Sequence, residues 1–545
     1  MSDSRNTSQF HSVRLHEDMC KGCTICVTGC PVEAIRVRDG KAHILEERCI
    51  DCGECIRRCP NKAKYACSSE LDELKKYDIT AALLTPSIYG QFNLHYSAEQ
   101  IHEAIKSLGF TEVYDVSVDA LEVSRATADL INSGGDLPKP LISSSCPTVL
   151  KLIQVRFPSL LENILPLLPP VEVCARRARK ELESKAGPGQ SVGIFLISPC
   201  PAKITVARSP VGYEKTAMNG AISFVTIYLN LLEKLRNLRD EQKQVIKDES
   251  DVLNIWVSDA DAEKDTSAEE LLKLHKFHTD SPDGIAWGRE SGEAEYVAHF
   301  LEHPENFSWI TTCGLSQILE TLEAIEDGQL SDYDFAEIEA CAGGCLGGPL
   351  AVKPISESSA ILRNRLRHRR LQAADLAAEK EGQLLPESAE KLQNEEVAAP
   401  PGERTAAPLI AAEFAAADRA TGASPEAGSK VGTEEKNDYS SLRLTQDIFP
   451  RPARQLSTDF SKARKMMAEL EEIAEQLPGT DCGSCGAPNC RALAEDIVRK
   501  KAKFEDCVVI LKERYEGFLF GDGKGKKGHI ETILKGRTDA TKDKS

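Results

Sequence analysis

The sequence predicts a multidomain α/β protein with a small cysteine-rich unit near each end. At 545 residues the chain exceeds the usual size of one domain. Strand-like and helix-like patterns alternate from about residue 79 to 356, which is typical of an α/β domain. Cysteines cluster at short, regular spacing before this region and again near the C-terminus.

The composition excludes some classes of protein and favours a metalloprotein. The net charge of −18 argues against nucleic-acid binding. Residues 1–12 are polar, so no secretory signal is expected, and no run approaches the ~20 apolar residues of a membrane span. A non-exported chain with 19 cysteines points to metal sites rather than disulfides. We therefore expect a cytoplasmic protein from a reducing, oxygen-poor setting, such as an anaerobe.

Residues 12–78 contain two cysteine-rich segments that form one internal repeat. Each segment has a Cys-x2-Cys-x2-Cys-x3-Cys-Pro motif. At this spacing three thiolates of one loop bind one face of a cubane cluster, and the fourth cysteine crosses to the other cluster. The predicted sets are Cys20, Cys23, Cys26 and Cys59 for one cluster, and Cys49, Cys52, Cys55 and Cys30 for the other. Between the segments, alternation around Asp39-Gly40 predicts a β-hairpin.

This N-terminal region resembles a bacterial two-cluster ferredoxin. The resemblance implies an α+β domain that holds two [4Fe-4S] clusters. The alternative is a pair of zinc knuckles, which the duplicated three-cysteine spacing and the Cys-Pro ends disfavour. Cys67 lies outside the motifs, so we interpret it as an ordinary core or surface residue.

Two apolar runs in the central region, over about 79–356, predict buried strands. They are Ile79–Leu84 and Val192–Ile197. Each run ends beside a proline or a cysteine, so functional residues are expected at the carboxyl ends of these strands. A helical pattern follows around Ala221–Leu235.

Four cysteines of the central region must converge in the folded domain if they act together. They are Cys146, Cys200, Cys341 and Cys345. They span about 200 residues, which is too far for a local loop site. Their surroundings, Ser-Ser-Cys-Pro, Ser-Pro-Cys-Pro-Ala-Lys and Glu-Ala-Cys-Ala-Gly-Gly-Cys, resemble the three signature segments of [FeFe]-hydrogenases. The resemblance covers most of residues 80–350 and implies a two-lobed α/β domain.

The resemblance also implies a cofactor and roles for several residues. In that family the four cysteines hold a [4Fe-4S] cluster, and one cysteine, here Cys345, bridges to a diiron unit with CO and cyanide ligands. Lys203 and Pro86-Ser87 match the positions that lie against the two cyanides. An ammonium in a dry pocket stabilises and orients an anion. The alternative for Lys203 is a surface lysine, which its place three residues after Cys200 disfavours.

Several positions depart from the pattern of efficient family members. Ser145 replaces a cysteine that relays protons, and Val206 replaces a glutamate further along the path. Ser198 and Glu339 replace two methionines of the diiron pocket, and Val149 replaces a tryptophan. An alkyl alcohol does not ionise near neutral pH as a tuned thiol does. We therefore expect slow turnover, and Glu339 is a candidate for a substitute proton route.

The remaining chain predicts a linker and a second small iron-sulfur unit. Residues about 357–444 are rich in Ala, Glu, Pro, Gly and Ser, which predicts a disordered linker with a helix near Ile361–Glu379. In the unit over about 445–520, helical periodicity ends at Pro478-Gly479. A cysteine loop with a distant fourth member follows: Cys482, Cys485, Cys490 and Cys507. It resembles the small Fe-S domain of corrinoid iron-sulfur proteins and redox-complex subunits, which implies one [4Fe-4S] cluster, with zinc as the alternative. The tail over 521–545 is predicted to be basic and disordered.

These resemblances favour a low-turnover redox protein similar to the sensory [FeFe]-hydrogenases. H2 and protons would be its small reactants, and a ferredoxin-like or signalling protein its redox partner. The rival hypothesis is a non-catalytic Fe-S electron-transfer or cluster-assembly protein without a diiron unit. A third hypothesis keeps H2 binding only as a signal. Cys174 and Cys313 have no motif around them and are interpreted as buried structural residues, and the oligomeric state stays open.

Overall fold

The structure, a computed structural model, describes residues 10–135, 137–239, 284–380, 439–451, 453 and 455–520. Most of the predicted linker, at 381–438, and the predicted tail over 521–545 lie outside the described residues. None of the helices within the described ranges combines the length and the apolarity that a membrane span needs.

The N-terminal unit is built from two short antiparallel strand pairs and two short helices. Strand β1 (Val13–Leu15) pairs with β4 (Lys64–Ala66), and β2 (Ile35–Arg38) pairs with β3 (Lys41–Ile44). Asp39 and Gly40 both have positive φ, 50° and 73°, as a two-residue hairpin turn requires, so the predicted hairpin is confirmed. The helices are α1 (Ile25–Thr28) and α2 (Glu54–Arg58).

A four-stranded parallel sheet forms one half of the central domain. Its order is β6-β5-β8-β9, with the strands β5 (Ile79–Leu84), β6 (Glu112–Asp115), β8 (Val192–Ser198) and β9 (Gly220–Ser223). The two predicted strands are confirmed as β5 and β8, which are direct neighbours in this sheet. All seven residues of β8 are buried, which accounts for its continuous apolar sequence.

A smaller parallel sheet forms the other half. Its order is β10-β11-β7, with the strands β7 (Leu141–Ile142), β10 (Trp309–Cys313) and β11 (Phe335–Glu339). The long helices pack around both sheets, as the α/β prediction requires.

The helices of this domain follow the connections between strands. They are α3 (Ala98–Lys106), α4 (Val116–Asn132), α5 (Pro147–Arg156), α6 (Pro170–Lys185), α7 (Pro201–Val206), α8 (224–239), α9 (Gly292–Phe300), α10 (Leu315–Glu326) and α11 (Ile355–Lys380). The helix predicted around Ala221–Leu235 begins only at residue 224, because the preceding residues pair with β8 as strand β9.

The helix predicted near Ile361–Glu379 is confirmed within α11, and both ends of the segment 357–444 pack on the central domain. Helix α11 packs on the central domain through Leu362 and Leu366, and the Arg365 Nε donates to the carbonyl of Tyr89 at 3.0 Å. At the far end Leu442 is buried, and its carbonyl accepts a 2.7 Å hydrogen bond from the N–H of Leu168. The composition of the segment did not predict these contacts, because a few leucines in a polar stretch are enough to pack each end on the central domain.

The C-terminal unit is helical. It consists of α12 (Phe460–Gln476), α13 (Cys490–Val498) and α14 (Val508–Phe520). The buried side chains of Leu470, Leu493 and Ile510 bring the three helices into one core. Helix α12 ends just before Pro478-Gly479, as predicted.

Short 3₁₀ turns join many of these elements. They lie at Glu17–Met19, Leu71–Lys76, Pro86–Gln91, Pro158–Asn163, Ile285–Gly288, Pro304–Asn306, Gly344–Gly347, Ser440–Leu442 and Phe504–Asp506.

Candidate metal centres

The four central cysteines follow strands of both parallel sheets. Strand β7 leads into Cys146, β8 leads into Cys200, and β11 leads into Cys341. Cys146 and Cys200 are the N-caps of α5 and α7, and Cys345 lies in the 3₁₀ turn that follows β11. The carboxyl ends of parallel strands are where α/β folds place their sites. The fold therefore brings segments distant in sequence to one place.

The four thiols face one another. Burial, and to a smaller extent the thiols of Cys200 and Cys345, raise the pKa of Cys146 to about 12. Burial, Cys200, Cys146 and Cys345 together raise the pKa of Cys341 well above that of an ordinary thiol. Buried thiols in such a group keep their protons at neutral pH unless a metal replaces them. These residues could hold a metal or a metal cluster.

Lys203 shows that this pocket suits an anionic inorganic group. Its Nζ lies 3.2 Å from the Sγ of Cys345, and the residue is 8% exposed. Burial opposes the charged ammonium, but the sulfurs of Cys345, Cys200 and Cys146 outweigh it and raise the pKa of Lys203. A buried cation needs an anionic partner. The residues present therefore fit a thiolate-bound, negatively charged cluster.

The predicted Pro86-Ser87 segment forms a buried turn directly after β5. Ser87 is 1% exposed, and its Oγ is 3.0 Å from the Oγ1 of Thr85. A Cβ on Gly288 would lie 3.2 Å from the Cβ of Pro86. The turn is thus held between β5 and the glycine-rich segment that precedes α9.

Ser145 contacts a buried carboxyl group that the sequence reasoning missed. Its Oγ donates to Glu293 Oε1 at 3.3 Å, and the Ser143 Oγ donates to the other carboxyl oxygen at 2.6 Å. Glu293 is 4% exposed, and burial raises its pKa to about 7, although both serines and Lys203 lower it. Its position in the sequence could have identified it, because Glu293 directly follows the glycine-rich stretch Asp283–Gly292.

Glu339 lies between two sulfur atoms. Its carboxylate oxygens are 3.5 Å from the Sγ of Cys345 and 3.6 Å from the Sγ of Cys313. Burial, then Cys345, raises the pKa of Glu339 well above its ordinary value. A side chain at Gly344 would place its Cβ 2.6 Å from this carboxylate, and the φ of Gly344 is +72°.

The interpretation of Cys313 as a buried structural residue is wrong. It is only partly buried, at the end of β10, and its thiol faces the carboxylate of Glu339. No motif in the sequence surrounds it, because the contact depends on the parallel pairing of β10 with β11. Cys174, in contrast, is fully buried in α6, as expected.

The first N-terminal set comes together as predicted from its spacing. Burial raises the pKa of Cys26 to about 11, and the thiols of Cys23, Cys59 and Cys20 contribute to the rise. Cys59 comes from the second motif, so the fourth cysteine does cross between the two halves of the repeat.

The second N-terminal set shows the reciprocal crossing. Burial raises the pKa of Cys52 well above its ordinary value, and Cys30, Cys55 and Cys49 add to this effect. Cys26 of the first set also contributes to the raised pKa of Cys55, so the two sets are close to each other.

The second N-terminal set adjoins the central centre. Cys30, Cys49, Cys52 and Cys146 border the same apolar cluster. A Cβ at Gly53 would lie 2.8 Å from both Pro201 and Pro349, which follow Cys200 and Cys345. The Arg57 guanidinium donates to the carbonyl of Gly347 at 2.6 Å.

A buried ionic network fastens this junction. Asp51 Oδ2 lies 2.8 Å from the Lys151 Nζ and 2.9 Å from the His11 Nδ1. Each of the three residues is at most 1% exposed. Burial opposes the charge of Asp51, but Lys151 and His11 hold the pKa of this carboxyl well below its ordinary value. Lys151 belongs to α5, the helix that begins directly after Cys146. The network therefore fixes the ferredoxin-like unit to the central site.

The C-terminal cysteines also gather around one point. Burial raises the pKa of Cys485, and the thiols of Cys507 and Cys482 add to the rise. Cys490 packs in the same core cluster as Cys485 and Cys507. Cys507 is buried, whereas Cys482 is exposed at the surface.

The C-terminal cysteine loop packs directly on the N-terminal unit. The N–H of Val37 donates to the carbonyl of Gly486 at 2.8 Å, and a Cβ at Gly486 would lie 2.1 Å from the carbonyl oxygen of Val37. A Cβ at Gly483 would lie 3.0 Å from the Cγ2 of Thr28, which directly follows the first cysteine loop.

Charged residues reinforce this docking. Asp496 Oδ2 accepts hydrogen bonds of 2.7 Å from both Arg36 and Arg38, and Arg48 pairs with Glu495. Arg36 and Asp496 are each 4% exposed. A buried pair of this kind fixes orientation, because breaking it leaves an uncompensated charge.

The fold and these groups of thiols define an iron-sulfur protein with several cluster sites. The family described as iron only hydrogenase large subunit, C-terminal domain, matches residues 78–349. The 4Fe-4S dicluster domain family matches residues 4–63, and a family of Fe-S cluster domains matches residues 477–509. Through its central domain the chain therefore belongs to the iron-only hydrogenase family.

Curated relatives match only short parts of the chain. A ferredoxin from Pyrobaculum islandicum is 32% identical over 69 residues, which are 12% of this chain and 64% of the ferredoxin. One component of the ion-translocating oxidoreductase complex of Methanosarcina acetivorans is 48% identical over 44 residues, which are 8% of this chain and 17% of that component. The chain thus spans less than two thirds of the length of these relatives.

Solved structures of [FeFe]-hydrogenase also resemble the chain. Two variants of the Chlamydomonas reinhardtii enzyme have TM-scores of 0.36 and 0.37 and identities of 16% and 15%. Each comparison covers 54% of this chain and 87% of that chain.

Proposed function

We propose that the protein is a slow [FeFe]-hydrogenase that couples H2 and protons to a relay of iron-sulfur clusters and serves sensing or redox signalling. The observation that carries this proposal is the buried ammonium of Lys203, 3.2 Å from Cys345 within a group of four thiols. A desolvated cation at this position would stabilise an anionic group bound at the four thiols. The cysteine-rich chain, with all 19 thiols free, suits the reducing cytoplasm of an anaerobe.

In this proposal the cofactor is held by the residues already described. Cys146, Cys200, Cys341 and Cys345 would bind a [4Fe-4S] cluster, and Cys345 would bridge to the diiron unit. When bound, that unit supplies the chemistry that interconverts H2 with protons and electrons. Lys203 would bind an anionic group held there, and the buried turn at Pro86-Ser87 would help to exclude water.

Protons would move over carboxyl groups instead of a cysteine thiol. Glu293, with a pKa of about 7, can hold a proton and release it near neutral pH. Ser145 donates to it and would connect it to the pocket at the position where efficient members have a cysteine. Glu339, between Cys345 and Cys313, is a second place where a proton can be held.

Electrons would leave the central site in a fixed order. The second N-terminal set adjoins the central site at Gly53, and its Cys55 is close to Cys26 of the first set. The first set in turn meets the C-terminal unit, where Gly483 lies against Thr28, two residues after Cys26. The order would therefore be central site, second N-terminal cluster, first N-terminal cluster, C-terminal cluster. Cys482 is exposed, so a redox partner would meet the relay there.

Infrared spectroscopy tests this function. Protein matured anaerobically with the diiron assembly machinery should show CO and cyanide stretches and a slow H2/D exchange. Intact cubane signals without these stretches would contradict the proposal. They would favour the second candidate, a non-catalytic electron-transfer or assembly protein, for which Ser145 and Glu339 at the proton path are the supporting observation. The stretches without turnover would instead favour H2 binding as a signal.

A further inference from the structure

The two halves of the N-terminal repeat differ in charge at a buried position that begins a strand. Five residues after Cys30 lies Ile35, and five residues after Cys59 lies Lys64. Both residues begin a strand, β2 and β4, and both are buried, with exposures of 3% and 4%. The repeat thus carries an apolar side chain in one copy and an ammonium in the equivalent place of the other.

The ammonium of Lys64 has no protein hydrogen-bond partner within the described residues. Its Nζ is buried, and no oxygen of that part of the chain accepts a hydrogen bond from it. A buried charge of this kind is costly unless an anion compensates it. The compensating charge therefore has to come from the cysteine sulfurs and from what they bind. This orphaned atom is independent support for anionic clusters in the N-terminal unit.

Lys64 lies between the two cysteine sets. Its positive charge interacts with Cys26, a member of the first set, and with Cys55, a member of the second. The backbone N–H of the preceding residue, Ala63, donates to the sulfur of Cys59 at 3.2 Å. One cation therefore acts on both sets, whereas Ile35 in the other half offers no charge to either.

A nearby positive charge favours the reduced state of an iron-sulfur cluster. Four thiolates give the cluster a net negative charge, and reduction adds one more negative charge. Net charge and hydrogen bonds at the sulfurs are among the factors that set the reduction potential. In a buried site the attraction is screened far less than at a surface.

We propose that Lys64 is a positioning residue that raises the reduction potentials of both N-terminal clusters. It acts through its fixed charge and does not bind iron. Less negative potentials in these clusters favour transfer of electrons out of the central site. The direction of flow would therefore be biased toward H2 oxidation. The inference rests on the two N-terminal clusters and not on the diiron unit.

The test is a redox titration of the full-length protein with reconstituted [4Fe-4S] clusters, followed by electron paramagnetic resonance. Lys64→Met removes the charge but keeps the length of the side chain. At a fixed poise we expect the reduced-to-oxidised ratio of the N-terminal clusters to fall on the order of tenfold, which corresponds to about 59 mV for one electron. Lys64→Arg keeps the charge and should stay close to the wild type. Lys62→Met is the matched control, because Lys62 is exposed two residues away.

Iron content and cluster spectra separate this role from a structural one. Equal potentials in Lys64→Met and Lys62→Met, with clusters intact, would overturn the proposal. So would a failure of both Lys64→Met and Lys64→Gln to retain clusters while Lys64→Arg retains them, because the residue would then serve assembly. The titration needs no diiron unit, so failure of the hydrogenase proposal, seen as absent CO and cyanide stretches, is a separate result.

Discussion

Replacement of Glu293 by glutamine is the sharpest test of the proton route. The carboxyl group is 4% exposed, and it accepts hydrogen bonds from Ser143 and Ser145. Glutamine has nearly the same shape but cannot give up a proton near neutral pH. The variant therefore removes proton transfer while it leaves the thiols and Lys203 in place.

The expected magnitudes follow from the pKa of about 7. A carboxyl group with this pKa is about one tenth ionised at pH 6 and about nine tenths ionised at pH 8, so a step that needs the ionised form gains roughly tenfold over that range. Loss of a general acid or base costs about 10²–10⁴-fold in rate. We expect Glu293→Gln to lose a factor of this size together with the inflection near pH 7.

Stability supplies a second readout with a definite sign. Because burial raises the pKa of Glu293 above the ordinary 4.5, the folded state binds the proton more tightly than the unfolded state. The stabilisation is complete below about pH 4.5 and is lost as the pH rises through about 7, a change of roughly 3 kcal/mol. Glutamine stays neutral, so Glu293→Gln should melt at a higher temperature than the wild type at pH 8.

The assay is H2/D exchange from pH 5.5 to 8.5, with infrared spectra to confirm that the site is loaded equally. Glu172→Gln is the control, because Glu172 is also a buried glutamate with a raised pKa. It lies in α6 and accepts hydrogen bonds from Thr216 and Arg176. A variant at Glu293 that keeps both the rate and the inflection of the wild type would refute the reasoning. Glu339 and Glu337, whose pKa values are also raised by burial, would then be the next carboxyl groups to test.

Further substitutions test the other parts of the site. Ser145→Cys should raise H2 turnover, because a thiol can exchange protons near neutral pH; an unchanged rate in fully loaded protein would show that another step is limiting. Lys203→Met should lose the CO and cyanide stretches but keep the cubane signals, because the anion loses its buried counter-charge; retention of all stretches would contradict its role. Asp496→Asn should weaken docking of the C-terminal unit by about 3–5 kcal/mol, seen as faster proteolysis between the units, whereas Glu505→Gln, at an exposed pair, should not.

The sequence predicted the features that depend on local spacing. The hairpin at Asp39-Gly40 needs only two residues of positive φ. Strands β5 and β8 could be predicted from the sequence because every side chain that they bury is apolar or small. In each case the physical cause lies within a few residues of the pattern.

The missed features depend on contacts between distant segments. Glu293 is 148 residues from Ser145, and Asp496 is 460 residues from Arg36. Their side chains carry no sign of burial in the sequence, since most glutamates and aspartates are exposed. Lys64 was missed as well, although the sequence contains a signal for it: it stands where the other half of the repeat has Ile35.

The proposed proton route and the proposed relay of clusters together support one interpretation of the function. On our proposal, proton transfer through Glu293 is slow, while the cluster sites adjoin one another from Cys345 to the C-terminal loop. Electrons would then redistribute over the relay faster than the central site turns over. The oxidation state of the C-terminal cluster would then depend on the ratio of H2 to protons and not on the rate of a metabolic reaction. A partner that docks beside Cys482 would sense that ratio, which is what a reporter requires and a high-rate enzyme does not.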